Sequence, residues 1–123
     1  LGTGGASKAI RHVLSKRNIK YNLVSRSKKN NNILYKDLDS NMFNQSLLII
    51  NSTPLGTYPN IEEFPDIPYN LINNNHILYD LVYNPLETIF MKKAIEKGAR
   101  VINGLKMLKY QAEKSWELWS KSN

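Results

Sequence analysis

A glycine-rich turn at the start of the chain runs directly into a helix and constrains the fold most strongly. Residues 2–7 read Gly-Thr-Gly-Gly-Ala-Ser, and residues 6–17 place four apolar side chains at helical spacing: Ala9, Ile10, Val13 and Leu14. Gly2 and Gly4 can adopt positive φ, and the free N–H groups that begin a helix favour an anion. Between a strand and a helix such a turn predicts a phosphate site, whereas elsewhere it is an ordinary turn. Only Leu1 precedes it, so we expect the preceding strand to be truncated.

A basic loop follows the next predicted strand, residues 21–24. Helix and strand together make half of a βαβ unit, in which an acid after the second strand binds the ribose of NAD and an Arg accommodates the 2′-phosphate of NADP. Here residues 25–29 read Ser25-Arg26-Ser27-Lys28-Lys29, and Asp37 is the first acid after them. The loop therefore favours NADP, although a short basic run is also typical of a solvated turn.

Composition narrows the class of protein. A length of 123 residues suits one domain, residues 1–123, and the sequence has no cysteine and two histidines, so we expect no metal site. No apolar run approaches the ~20 residues of a membrane helix, and a cytoplasmic location fits best. The net charge of +7 is spread along the chain without a stripe of interleaved aromatic residues, which argues against nucleic acid as a partner. The runs 30–32 and 73–75, all asparagine, are interpreted as tolerant loops.

The remaining sequence alternates predicted strands with predicted helices. Apolar strands are expected at residues 47–50, 77–82 and 100–102, each followed by polar residues, and helices at residues 86–97 and from 105 to about 119. Along the last helix, six residues share a face: Leu105, Leu108, Ala112, Ser115, Trp116 and Trp119. This rhythm predicts an α/β fold, a Rossmann-like, doubly wound, mainly parallel sheet with helices on both faces and its first strand truncated. Ligands of such sheets lie beyond the carboxyl ends of the strands.

Four blocks in this order and spacing closely resemble the C-terminal, NADP-binding domain of shikimate dehydrogenases. They are the glycine turn at residues 2–7, Asn-Ser-Thr-Pro-Leu-Gly at residues 51–56, residues 79–88 around Asp80 and Tyr83, and residues 103–112. The resemblance implies reversible reduction of 3-dehydroshikimate to shikimate with NADPH, in aromatic amino acid biosynthesis. Quinate/shikimate dehydrogenases share much of the pattern and are the alternative, as is an NADP-binding module without catalytic activity.

The resemblance also assigns site residues. It implies that the pyrophosphate, the 2′-phosphate and the nicotinamide are bound by thirteen residues: Gly2, Thr3, Gly4, Gly5, Ala6, Ser25, Arg26, Ser27, Lys28, Lys29, Thr53, Leu81 and Gly104. Tyr83 and Gln111 match residues that reach the substrate. Asn30 stands where the family often has a second Arg, so Lys28 or Lys29 would substitute for it. Asp80 is interpreted as an anchor of its strand end, and His12 and His76 as structural or exposed.

In the family, the catalytic Lys and Asp and most groups that grip the substrate lie in an N-terminal domain. We therefore expect that domain to be missing, this chain to carry no catalytic residue, and the chain alone to be inactive. The expected partners are the small-molecule substrate, shared with the missing domain, and, by analogy, a second copy in a homodimer. No membrane and no nucleic acid are expected.

Overall fold

The computed structural model describes residues 1–29 and 31–122, which form parallel strands connected by helices. The helices are α1 (Gly5–Lys16), α2 (Ser40–Gln45), α3 (Ile89–Glu96) and α4 (Leu105–Lys121). The strands are β1 (Val24–Ser25), β2 (Ile33–Leu34), β3 (Leu48–Asn51), β4 (Ile77–Asp80) and β5 (Arg100–Ile102). Short 3₁₀ turns span Tyr35–Asp37 and Tyr69–Leu71.

The strands form two parallel groups. β1 pairs with β2, and β3, β4 and β5 pair in that order. Because β3 and β4 are in register from Leu48 opposite Ile77 to Asn51 opposite Asp80, their carboxyl ends lie side by side. Because all the strand pairs are parallel, the loops that follow the strands lie at the same edge of the sheet. The α/β fold predicted from the strand and helix rhythm is confirmed.

Leu1 lies between the two groups of strands and bonds to both sides. The α-amino group of Leu1 donates to the carbonyl of Ile50 at 2.6 Å, and the amide of Ser52 donates to the carbonyl of Leu1 at 2.9 Å. On the other side, the amide of Gly2 donates to the carbonyl of Val24 at 2.8 Å. The strands therefore lie side by side in the order β2, β1, Leu1, β3, β4, β5. A cavity of about 330 Å³ lies between α1, α2 and β3.

One hydrophobic core holds β3, β4 and α3 together. Leu78 of β4 and Phe90 of α3 are completely buried, and the core includes seven further residues: Phe43, Ile49, Ile67, Ile72, Met91, Ala94 and Ala99. Burying each large apolar side chain contributes roughly 1.5–3 kcal/mol. His76 is also buried, where its Nδ1 accepts from the amide of Asn73 and its Nε2 lies 2.9 Å from the carbonyl of Phe43. The structural interpretation of His76 is confirmed, and His12 is exposed.

Two predicted elements begin three residues later in the chain than expected. The strand expected at residues 21–24 begins only at Val24, because residues 19–22 run as irregular backbone after the αL residue Asn18 (φ 55°). The helix expected from Leu86 begins at Ile89, because the hydroxyl of Thr88 accepts from the amide of Met91 and caps it. The short helix α2 is capped by Asp39, whose side chain accepts from the amide of Met42.

Helix α4 projects its apolar side chains into solvent. All of α4 lies in the described part of the chain and none of its residues is buried; Leu105 is 47% exposed, Trp116 66% and Trp119 60%. The six residues predicted to share a face do lie on one helix, but none of them is part of the hydrophobic core. No helix of the described residues is long and apolar enough to cross a membrane.

Candidate functional site

The glycine turn presents open backbone at the start of α1. No described side chain caps this helix, whose N-cap is Gly4 in an extended conformation. A Cβ on Gly4 or Gly5 would meet no protein atom within 4 Å, whereas one on Gly2 (φ +100°) would lie 2.9 Å from Cγ2 of Thr53. The first glycine is therefore required for the turn itself. The next two leave space in front of free amides, which is the geometry that accepts a phosphate.

The loops after β3, β4 and β5 pack against one another at this edge. The amide of Leu81 donates to the carbonyl of Asn51 at 3.1 Å, and the amide of Gly104 donates to the carbonyl of Val82 at 3.1 Å. A Cβ on Gly104 would lie only 2.0 Å from the carbonyl oxygen of Leu81, so this position admits glycine alone. Four predicted cofactor residues thus form one continuous row: Gly2, Thr53, Leu81 and Gly104.

Asp80 anchors the end of β4, as predicted. Its carboxylate is fully buried and accepts from Nδ2 of Asn51 at 3.1 Å, the amide of Val82 at 3.0 Å and Oγ1 of Thr88 at 2.6 Å. Burial raises the pKa of Asp80, and the three hydrogen bonds oppose that shift. With every acceptor oxygen engaged inside the protein, Asp80 is a structural group and not a proton donor to a ligand.

The basic loop is held in shape by Asn32. Its amide nitrogen donates to Oγ of Ser25 and, at 2.8 Å, to the carbonyl of Ser27, while its oxygen accepts from the amide of Lys29 at 2.7 Å. Asn32 is buried, so its interpretation as part of a tolerant asparagine loop was wrong. A single buried Asn near a turn gives no distinctive sequence signal. Because Asn32 belongs to a run of three asparagines, its sequence did not distinguish it from its neighbours.

The loop leaves its cationic side chains free for a ligand. Ser25 is buried, and Arg26, Ser27, Lys28 and Lys29 are exposed. Burial raises the pKa of the Tyr35 hydroxyl, and the charge of Arg26 partly offsets this, so Arg26 lies near the end of β2. Asn30, compared above with a family Arg, lies outside the described residues. Three exposed cations therefore lie in the loop that follows β1, the strand whose Val24 accepts a hydrogen bond from Gly2 of the glycine turn.

The two predicted substrate residues are both accessible. Tyr83 follows β4 and is 45% exposed. Gln111 is exposed on α4 and lines an open groove with Tyr79, Ile102, Met107 and Tyr110. Thr3 and Ala6 are exposed at the start of α1. No described contact joins Tyr83 to Gln111, so their common role stays a prediction.

Comparison with known proteins decides the family. No family model matches the chain. The shikimate dehydrogenase (NADP(+)) of Methanococcus maripaludis strain S2 is 40% identical over 98% of this chain and 48% of its own length. The crystal structure of shikimate dehydrogenase 1 from Peptoclostridium difficile superposes with a TM-score of 0.74 at 38% identity, covering 98% of this chain and 45% of that one.

The chain belongs to the shikimate dehydrogenase family. It spans about half the length of the curated shikimate dehydrogenases it matches. A further crystal structure, of a shikimate dehydrogenase in complex with NADP+, matches 60% of the chain at 42% identity with a TM-score of 0.57. The resemblance carried by the four sequence blocks is therefore confirmed at the level of the family.

We expect Asn32→Ala to lower the free energy of unfolding by roughly 1–3 kcal/mol, because three buried or part-buried hydrogen bonds in the basic loop are lost. Asn31→Ala is the matched control: its side chain is exposed in the same run, and its effect should stay within about 0.5 kcal/mol. Urea unfolding of both variants measures the difference. Equal stability of the two variants would contradict the assignment of Asn32 as the residue that orders this loop.

Proposed function

We propose that this chain binds NADP along the carboxyl edge of its sheet. The observation that supports the proposal best is the continuous row of loop contacts beside an uncapped, open helix start and three exposed cations. Neighbouring strands are about 4.8 Å apart, so the edge of the sheet from β1 to β5, which is four strand spacings, is ~19 Å wide and suits an extended dinucleotide. The net charge of +7 complements the phosphates of such a ligand.

Each part of the cofactor has residues suited to it. The pyrophosphate would lie against Gly4, Gly5 and the free amides of α1, with Thr3 and Ala6 beside it. The 2′-phosphate would meet Arg26 and its neighbours Ser27, Lys28 and Lys29. Leu81 and Gly104, at the end of the row away from Gly2, would line the nicotinamide. Thr53 would line the cofactor between these residues and the glycine turn. An Arg suits a phosphate better than a Lys because its planar fork donates two parallel hydrogen bonds.

The reaction we propose for the whole protein is reversible, NADP-dependent reduction of 3-dehydroshikimate to shikimate. NADPH, when bound, supplies the hydride, and the protein must orient the substrate and provide a proton to its carbonyl oxygen. Tyr83 and Gln111 are the residues of this chain proposed to contact the substrate. Quinate/shikimate dehydrogenase activity is the alternative within the family. A cytoplasmic location and a homodimer stay predictions.

We expect Gly4→Ala to weaken NADP+ binding without destabilising the fold. Because its Cβ would meet no protein atom, we expect the free energy of unfolding to change by less than about 1 kcal/mol. The same methyl group would occupy the space proposed for the pyrophosphate, so NADP+ affinity should fall at least ~10-fold, measured by calorimetric titration. Gly98→Ala (φ +79°) is the reverse control: it should destabilise the fold and leave NADP+ affinity intact. Unchanged affinity in Gly4→Ala would refute this placement.

Arg26→Glu should reverse the preference for NADP+ over NAD+. Loss of a charge-assisted hydrogen bond to the 2′-phosphate is expected to weaken NADP+ binding by roughly 10–100-fold, with NAD+ affinity changed little. Lys92→Glu makes the same change of charge at an exposed position of α3 and should leave the ratio of the two dissociation constants unaltered. An unaltered ratio in Arg26→Glu as well would show that Arg26 does not contact the cofactor.

We further propose that the catalytic Lys and Asp of the family lie in the part of the relatives that this chain does not match. Among the described residues, the one buried carboxylate of the site, Asp80, is committed to internal hydrogen bonds. The 123-residue polypeptide should therefore bind NADP+ without oxidising shikimate, measured as NADPH formation over time. Steady, shikimate-dependent NADPH formation by the purified polypeptide would contradict this. Binding without turnover also separates a cofactor-binding unit from a complete dehydrogenase.

A further inference from the structure

A buried polar triad lies directly beneath the proposed nicotinamide end of the site. Asn51 and Asp80 are 0% exposed and Thr88 is 1% exposed. They come from three different segments: the last residue of β3, the last residue of β4 and the N-cap of α3. Buried polar groups cost free energy unless they are hydrogen-bonded, and here the three side chains bond to one another.

Asp80 determines which way the amide of Asn51 faces. A carboxylate can only accept, so Asn51 must direct its Nδ2 toward Asp80, at 3.1 Å. The Oδ1 of Asn51 therefore faces Thr53, and it accepts from the backbone amide of Thr53 at 3.0 Å and from the Oγ1 of Thr53 at 2.6 Å. The orientation of Thr53 therefore depends on an acceptor oxygen of a residue on the neighbouring strand.

The same carboxylate also holds the loop after β4. Oδ1 of Asp80 accepts from the amide of Val82 at 3.0 Å, and the carbonyl of Val82 in turn accepts from Gly104. Oδ2 accepts from Thr88 at 2.6 Å, which ties the loop to the start of α3. One buried group thus connects the loops after β3, β4 and β5, and these loops carry Thr53, Leu81 and Gly104.

We infer that Asp80 is a positioning residue for the nicotinamide half of the cofactor. It acts through Val82 on Leu81 and Gly104, which would line the nicotinamide, and through Asn51 on Thr53, which lies between Leu81 and the glycine turn. The inference rests on the proposed function, which places the nicotinamide against these loops. Asp80 is not expected to affect the adenosine half, because the basic loop at residues 25–29 is ordered by Asn32 instead. The role is therefore local to one end of the site.

The test compares two ligands on this chain and its variants. NADP+ contacts both ends of the row, whereas adenosine 2′,5′-bisphosphate carries only the adenosine, the 2′-phosphate and one 5′-phosphate. In Asp80→Ala, we expect NADP+ affinity to fall about 3- to 10-fold, as for one or two lost hydrogen bonds, with bisphosphate affinity within ~2-fold of the unmodified chain. The emission enhancement of bound NADPH should fall as well, because its nicotinamide is no longer held.

Two further variants keep the test decisive. Asp80→Asn retains the shape and an acceptor oxygen for Val82 and Asn51, so it should restore most of the NADP+ affinity lost in Asp80→Ala. Asn51→Ala preserves the carboxylate of Asp80 and its hydrogen bonds to Val82 and Thr88. If circular dichroism shows that Asp80→Ala is unfolded, Asn51→Ala is used for the test instead. It should show the same selective loss of NADP+ affinity.

The outcomes distinguish this inference from the proposed function. If the unmodified chain binds neither ligand, the proposed function fails, and the inference with it. If it binds both, and the variants lose affinity for both ligands equally or for neither, Asp80 and Asn51 act only on overall stability and the inference alone is overturned. Selective loss of the nicotinamide half supports it.

Discussion

The parallel alignment of β3 with β4, in register to their last residues, is the constraint on which the rest of the molecule depends. It brings Asn51 beside Asp80, and so brings the two following loops together at one edge. The burial of Leu78 and Phe90 maintains that alignment, because a shift of one residue would exchange the buried and exposed faces of β4. The polar edge is therefore positioned by the apolar core.

The glycines along this edge serve two different purposes. Gly2 and Gly104 lie so close to neighbouring protein atoms that a side chain would collide with Thr53 or with the backbone of Leu81. Gly4 and Gly5 have no such neighbours, and the open space in front of them suits a ligand at the start of α1. Contact inside the protein explains the first pair, and the proposed pyrophosphate explains the second. A sequence motif alone does not separate these two roles.

Periodicity and turn residues predicted the alternation of strands and helices, the parallel sheet and the position of the glycine turn, because these follow from local patterns. The anchoring role of Asp80 was also predicted, since a polar residue that ends a buried strand needs partners. Asn32 was missed because its partners come from a turn whose backbone geometry is not visible in the residue types. The start of α3 was placed too early because Leu86 and Glu87 fit a helix as well as a loop, and only the Thr88 cap decides between them. The sequence predicted that six residues of α4 share a face, and none of them is buried, because periodicity does not say what covers such a face.

The central claim is that NADP lies across the carboxyl edge from the basic loop to Gly104. Its most direct test is an amide chemical-shift titration of the nitrogen-15-labelled chain with NADP+. The account predicts the largest changes at residues 4–7, 26–29, 53, 81–83 and 104, and little change near the exposed end of α4 at residues 114–121. Changes confined to α4, or spread evenly over the chain without saturation, would contradict it.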